Sequence, residues 1–252
     1  MGREEDTIES MLIEGRNEVI EALRSGRSID RLYMQDGAHD GKLDTIRREA
    51  KKAGLRIDFV EKKRLDDLSE TGRHQGVVAR AAAYGYASVD DILSKARERG
   101  EDPFIFILDG IEDPHNLGAI IRTADQAGAH GVIIAKDRAV GLTAVVAKAS
   151  AGALNYVPVA KVTNIARTIE ELKKEGLWFA GADMDGDVMY EKDLKGSIGI
   201  VIGAEGRGLS KLVREACDYI VSIPSKGHID SLNASVAAGV LAYEIVRRRG
   251  FG

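Results

Sequence analysis

Three short segments of this 252-residue chain carry side chains that could do chemistry together. The first is Asp109-Gly110-Ile111-Glu112-Asp113-Pro114-His115-Asn116-Leu117-Gly118, with Arg122 six residues beyond Asn116. The second is Gly203-Ala204-Glu205-Gly206-Arg207-Gly208, and the third is Ser231-Leu232-Asn233-Ala234-Ser235. Amides, a hydroxyl, a carboxylate and a guanidinium can orient a hydroxyl group and stabilise charge, but none is a strong nucleophile. The G-x-S-x-G elbow of serine hydrolases does not occur. Cys217, the only cysteine, has no evident partner base and reads as packing. The five histidines (His39, His74, His115, His130, His228) lack zinc-ligand spacing, so no metal is expected.

The glycine-rich segment limits the ligand. Its order is G-x-x-G-x-G, not the dinucleotide fingerprint G-x-G-x-x-G, and no Gly-Lys-Ser or Gly-Lys-Thr triplet marks a P-loop. A loop of this kind suits a ligand read by backbone groups, such as an adenine edge; a tight strand-to-helix turn explains it equally well. Asn116 has an ordinary reading too, as a helix cap. Arg122 reads either as a surface ion-pair partner or as a ligand-facing group. Its flanks, Ala119-Ile120-Ile121 and Thr123-Ala124, favour a paired or ligand-facing arginine, because burying a lone charge is costly.

The elements that must position these loops alternate. Apolar strands are expected at 104–108, 131–135, 178–182, 198–202 and 219–223, and helices at 117–127, 143–151, 165–175, 210–216 and 232–248. Continuous apolar strands separated by helices describe a parallel sheet covered on both faces. Each of the three segments then leaves the carboxyl end of a strand or opens a helix, where ligands of open α/β sheets bind. By pattern alone this is a doubly wound Rossmann-like domain, and a nucleotide-dependent oxidoreductase is one reading of it. Trp178 reads as core.

Residues 1–84 form a separate small α/β unit by the same reading, residues 85–103 a linker with one short helix at 89–99, and residues 104–252 the main domain. The chain has 36 Lys and Arg against 40 Asp and Glu. Residues 1–84 hold 16 basic and 17 acidic groups, so neither part is a basic domain. A local phosphate-tracking patch could form from Arg47, Arg48, Lys51 and Lys52 with Lys62-Lys63-Arg64; a solvated helix face is the plainer reading. No apolar run approaches the roughly 20 residues that span a bilayer. Met1 to Asp6 is charged and lacks a signal core, so a cytoplasmic protein is expected, with no membrane partner.

Taken together, the three segments resemble the SpoU/TrmH class of the SPOUT methyltransferases. The likeness runs over residues 104–248: a first motif at Asp109 to Arg122, a second at Ile200 to Gly208 and a third at Ile223 to Ser235. The N-terminal unit is similar to the small ribosomal-protein-like RNA-binding domain of 23S rRNA guanosine 2′-O-methyltransferases of this class, through Glu14-Gly15-Arg16-Asn17-Glu18-Val19 and His74-Gln75-Gly76-Val77. The resemblance implies an α/β domain with a deep trefoil knot, which periodicity could not propose. It also implies a homodimer, with Val236, Val240, Leu241 and Ile245 near the interface unless they only cover their own sheet. S-adenosyl-L-methionine would be the cofactor, held by Gly203, Ile223 and Leu232. RNA would be the substrate, with Arg122, Asn116, Glu205, Ser231 and Asn233 lining the reaction centre and Glu205 pairing with Arg122. Ser225-Lys226 departs from the apolar or small residues usual after the Ile-Pro pair.

Overall fold

The computed structural model describes residues 12–82, 84–227 and 231–250. The charged leader 1–6 and His228, like the rest of 228–230, lie outside them. The chain divides into two compact units, the first of Met1–Gly85 with Gly141–Ala144 and the second of Tyr86–Val140 with Val145–Gly252.

The first unit holds strands β1 (Leu12–Glu14), β2 (Ile29–Gln35), β3 (Ile57–Val60) and β4 (Val77–Ala81), with helices α1 (Arg16–Arg24), α2 (Gly41–Lys52) and α3 (Lys62–Leu68). The sheet order is β1-β4-β2-β3, antiparallel except for the β2–β3 pair. Helix α2 starts where Asp40 accepts from the N–H groups of Lys42 and Leu43, the usual remedy for free helix N-termini. It buries Leu43, Ile46 and Ala50 against Val19, Leu32, Met34, Val77 and Ala79. Its cations are largely neutralised on the helix itself. Arg47 pairs with Asp44 at 2.6 Å, and Glu49 takes Lys52 at 3.1 Å and Arg48 at 3.7 Å. That favours the solvated-face reading for these three residues.

The second unit opens with α4 (Val89–Arg99), inside the segment expected to be a linker. Ser88 and Asp91 form a capping box at its start, and Gly100 ends it in the left-handed conformation. Ile92 and Leu93 are buried with Ile105, Ile133 and Ile169, so α4 belongs to this core. Then follow β5 (Phe104–Asp109), α5 (Pro114–Gln126), β6 (Gly131–Ala135), α6 (Ala144–Ala149), β7 (Val159–Val162) and α7 (Ile165–Lys174). The remainder is β8 (Trp178–Val188), β9 (Ile198–Gly203), α8 (Lys211–Ala216), β10 (Tyr219–Ser222) and α9 (Ala234–Arg249). Strand β7 was not expected; it is short and carries Lys161. Trp178 is 54% exposed and stacks on Tyr219 at 5.9 Å, so it is not core.

All six strands of this unit are parallel, in the order β10-β8-β9-β5-β6-β7. A classical dinucleotide-binding sheet runs 3-2-1-4-5-6; here the fourth and fifth strands have changed places. The Rossmann expectation therefore fails in its topology, with a direct consequence for the site. Strand β9 lies beside β5, with Asp109 in register with Gly203. The loop after β5 and the glycine loop after β9 leave the sheet as neighbours. Helix α9 packs along α5 and β9. Leu241 and Ile245 are fully buried there, so these two cover their own sheet, whereas Val236 is exposed and Val240 half-buried.

Candidate active site

The glycine loop after β9 is closed on itself. Ala204 and Gly208 exchange two backbone hydrogen bonds, at 3.1 and 2.8 Å. Gly206 and Gly208 take φ values of +72° and +63°, which glycine adopts without penalty. A Cβ on Gly203 would meet the backbone carbon of Gly208 at 2.2 Å. Glycine at 203 is therefore required by the turn itself. The Asp109 carboxylate accepts from Ser210 N–H at 2.7 Å, tying the end of β5 to the far side of the loop.

Glu205 at the tip of this turn is the meeting point. Asn116 Nδ2 donates to Glu205 Oε1 at 3.0 Å, Asn233 Nδ2 donates to the same oxygen, and Ala234 N–H approaches it at 3.4 Å. Asn233 Nδ2 also donates to Asn116 Oδ1 at 2.9 Å. One residue from each of the three segments thus joins a single network. Asn116 is not the helix cap. Asp113 fills that role, accepting from His115 and Asn116 N–H, and Pro114 stands at the first helical position. The Asn116 side chain, 7% exposed, is left free to reach Glu205. Asn233 does cap α9: its Oδ1 accepts from Ser235 and Val236 N–H. The Glu205 carboxylate beside that helix start also sits where the macrodipole favours negative charge.

A cleft of about 1130 Å³ opens at the carboxyl ends of β8, β9 and β10. Gly203, Glu205, Ile223, Ser231, Leu232 and Asn233 all line it. Asn116 stands behind Glu205. Arg122 is elsewhere: on α5 it lies about 9 Å further along the axis and roughly 120° round from Asn116. It is exposed and makes no hydrogen bond or ion pair with a described residue. The expected Arg122–Glu205 pair is replaced by the two asparagines, because Arg122 points away from the face of α5 that meets the turn. Cys217 is half-buried, and burial pushes its thiol up to about 12, far from a thiolate nucleophile. Sequence reasoning missed Asp183 and Met184, which line the cleft from β8. They follow directly on the strand expected at 178–182, and that position was the available signal.

Residues 103–243 match the SpoU rRNA methylase family, and residues 12–87 match a domain described as RNA 2′-O ribose methyltransferase substrate binding. The chain belongs to the SpoU rRNA methylase family. This is a family of RNA 2′-O-ribose methyltransferases, and the oxidoreductase reading falls. A TrmH family tRNA/rRNA methyltransferase of Bacillus subtilis is 50% identical over 93% of this chain and 94% of its own length. Among solved structures, the SpoU methyltransferase AviRb from Streptomyces viridochromogenes, in complex with AdoMet, superposes with a TM-score of 0.60 at 27% identity. That match covers 94% of this chain and 90% of the other. A TrmH/SpoU tRNA-modifying enzyme of A. aeolicus matches with a TM-score of 0.53 at 27% identity, over 59% of this chain and 76% of its own.

The cleft fits a molecule of the AdoMet type. Its volume slightly exceeds the roughly 300–1,000 Å³ of small-molecule pockets, leaving room for a whole nucleoside cofactor. Its walls are backbone and apolar side chains (Ile202, Val221, Ile223, Leu232). The carboxylates of Asp183 and Glu205 at its edges complement a cation.

Proposed function

We propose that this chain binds S-adenosylmethionine in the cleft and methylates the ribose 2′-oxygen of a guanosine in 23S rRNA. The carrying observation is the network in which Asn116, Glu205 and Asn233, from three separate segments, share the Glu205 Oε1 atom at the edge of a backbone-lined cleft. The cofactor supplies a methyl group activated by a sulfonium charge, with a neutral thioether as leaving group. What the protein adds is positioning, exclusion of water and removal of one proton. Glu205 holds both asparagine amides, so Asn233 and the adjacent Ser231 present fixed polar atoms to the ribose. Arg122 cannot serve as a base while protonated. Its exposed guanidinium, which no described residue holds, instead attracts an RNA phosphate, and the proton of the 2′-hydroxyl leaves to that phosphate. Lys226, exposed on the cleft rim, adds a second phosphate contact.

Several observations support the remaining parts of this reading. The first unit matches a substrate-binding domain, and the tRNA-modifying neighbour matches only 59% of the chain; both favour a ribosomal target recognised by residues 1–84. A tRNA target is the second reading; the name of the Bacillus relative gives both RNAs. The path of the chain from β8 inward to β9, outward to β10 and back along β9 and α5 as α9 supports the deep trefoil knot. A homodimer would cover Leu232, Val236 and Tyr243, exposed apolar residues near one face of α9. A reducing cytoplasm suits the lone Cys217.

The test is methyl transfer from labelled S-adenosylmethionine to unmodified large-subunit rRNA and, separately, to tRNA. The reading requires label on rRNA at a single guanosine ribose; label on tRNA alone would move the target to the second reading.

A further inference from the structure

Strand β8 breaks step with its neighbour in an unusual way. Gly181 pairs with Ile220, but the next pair along β10 is Val221 with Asp187. The five residues Ala182–Gly186 are thereby pushed out of the ladder. Gly186 makes the return possible, since a Cβ there would meet the Ile220 and Val221 backbone at 2.6 Å. The first three residues of the excursion, Ala182, Asp183 and Met184, line the cleft. Met184 is 60% exposed, leaving a thioether on the cleft wall.

We propose that Asp183 accepts hydrogen bonds from the ribose hydroxyls of the cofactor's nucleoside, an assignment that rests on the reading of the cleft given above. Three features carry it. The carboxylate is held in place: one oxygen, Oδ2, is paired with Arg214 of α8, and Oδ1 accepts from Asp185 N–H at 3.3 Å. A carboxylate has about four acceptor positions, so this anchoring leaves room for a pair of hydroxyl donors. The other acid on the cleft, Glu205, already takes two amides and a backbone N–H on one oxygen. Finally, Asp183 Oδ2 lies 3.8 Å from the position a Cβ would occupy on Gly208, so the carboxylate stands beside the glycine turn that borders the cleft. In dinucleotide-binding α/β folds an Asp or Glu likewise accepts from the ribose hydroxyl. Arg214 acts through Asp183 and is a positioning residue.

The experiment is calorimetric binding of S-adenosylhomocysteine and its 2′- and 3′-deoxy analogues to the full chain, as wild type, D183N and R214A. Hydrogen bonds to a charged group are worth about 1.5–3 kcal/mol, so D183N should bind S-adenosylhomocysteine roughly 10- to 100-fold more weakly. Wild type and D183N should bind at least one deoxy analogue equally, and R214A should show a smaller loss with the same analogue pattern. Equal losses for all three ligands in D183N, or no loss for any, overturn the assignment, with the melting temperature of each variant separating misfolding from a contact elsewhere on the ligand. Failure of the wild type to bind S-adenosylhomocysteine at all would sink the cofactor reading as well, whereas normal wild-type binding with an indifferent D183N sinks the Asp183 assignment alone.

Discussion

Substitution of Glu205 by alanine should cost the second unit more than its exposed position on a turn suggests. Its Oε1 receives Asn116 Nδ2, Asn233 Nδ2 and Ala234 N–H. Asn233 is exposed, so water can replace its lost bond. Asn116 is buried, and its freed amide keeps only the partner at its oxygen. A buried donor left unmet costs about 1–3 kcal/mol, and removing a carboxylate from a helix N-terminus about 0.3–1 kcal/mol more. At about 2–4 °C per kcal/mol for a domain of this size, Glu205→Ala should lower the melting temperature by about 3–16 °C. Glu205→Gln keeps an acceptor oxygen and should lose less than half as much. The decisive assay is a double-mutant cycle in urea with Asn116→Ala. If the network is as described, the loss from Glu205→Ala largely disappears once Asn116 is gone, giving a coupling of about 1–2 kcal/mol. Additive losses within about 0.5 kcal/mol would mean the two groups do not interact, and the argument for a shared reaction centre would fail with them.

Arg122→Ala should melt within about 2 °C of wild type, as expected for an exposed residue without partners, and bind S-adenosylhomocysteine normally. Its methyl transfer should nevertheless fall by about 100-fold, as when a reacting group is misplaced by about 1 Å; near-normal turnover would take Arg122 out of the mechanism. Gly203→Ala forces a Cβ into the Gly208 backbone, so it should open the turn, lower the melting temperature by several degrees and abolish cofactor binding together; normal binding would mean the cleft does not depend on that turn. In the first unit, burial works against the Glu14 carboxylate. Hydrogen bonds from the Ser69 and Thr71 hydroxyls and from Glu70 and Thr71 N–H outweigh it, and hold its pKa at about 2 instead of 4.5. Because the folded value is the lower one, this stabilisation is complete above about pH 4.5 and is lost as the pH falls towards 2. Glu14→Gln should therefore destabilise the chain at pH 7 and flatten the decline of its urea midpoint between pH 5 and 3; an unchanged slope would refute the role of Glu14.

Much of this was legible in the sequence. Continuous apolar strands located most of the elements of the second unit. The three polar segments could be read as one site because each left a strand or opened a helix. Strand order could not be read, since exchanging β8 and β9 changes no local pattern; yet that exchange sets Asp109 beside Gly203 and brings Asn116 to Glu205. Asn116 was hidden as a cap because Asp113, three residues earlier, satisfies the same N–H groups. Arg122 was misplaced for a related reason: its apolar neighbours face the core, but at 100° per residue its own side chain does not. Asp183 escaped notice because a break in strand register leaves no composition signal beyond a glycine.

The claim that this cleft serves ribose methylation is tested most directly by the chemistry of the product. RNA methylated by the wild-type chain should be digested to nucleosides and weighed, and the modified bond probed with alkali. The account predicts a single nucleoside with its methyl group on the ribose and an unaltered base, and a phosphodiester at that position that resists alkaline cleavage because its 2′-oxygen is blocked. A methyl group on the base, or a bond that alkali still cuts, would contradict it.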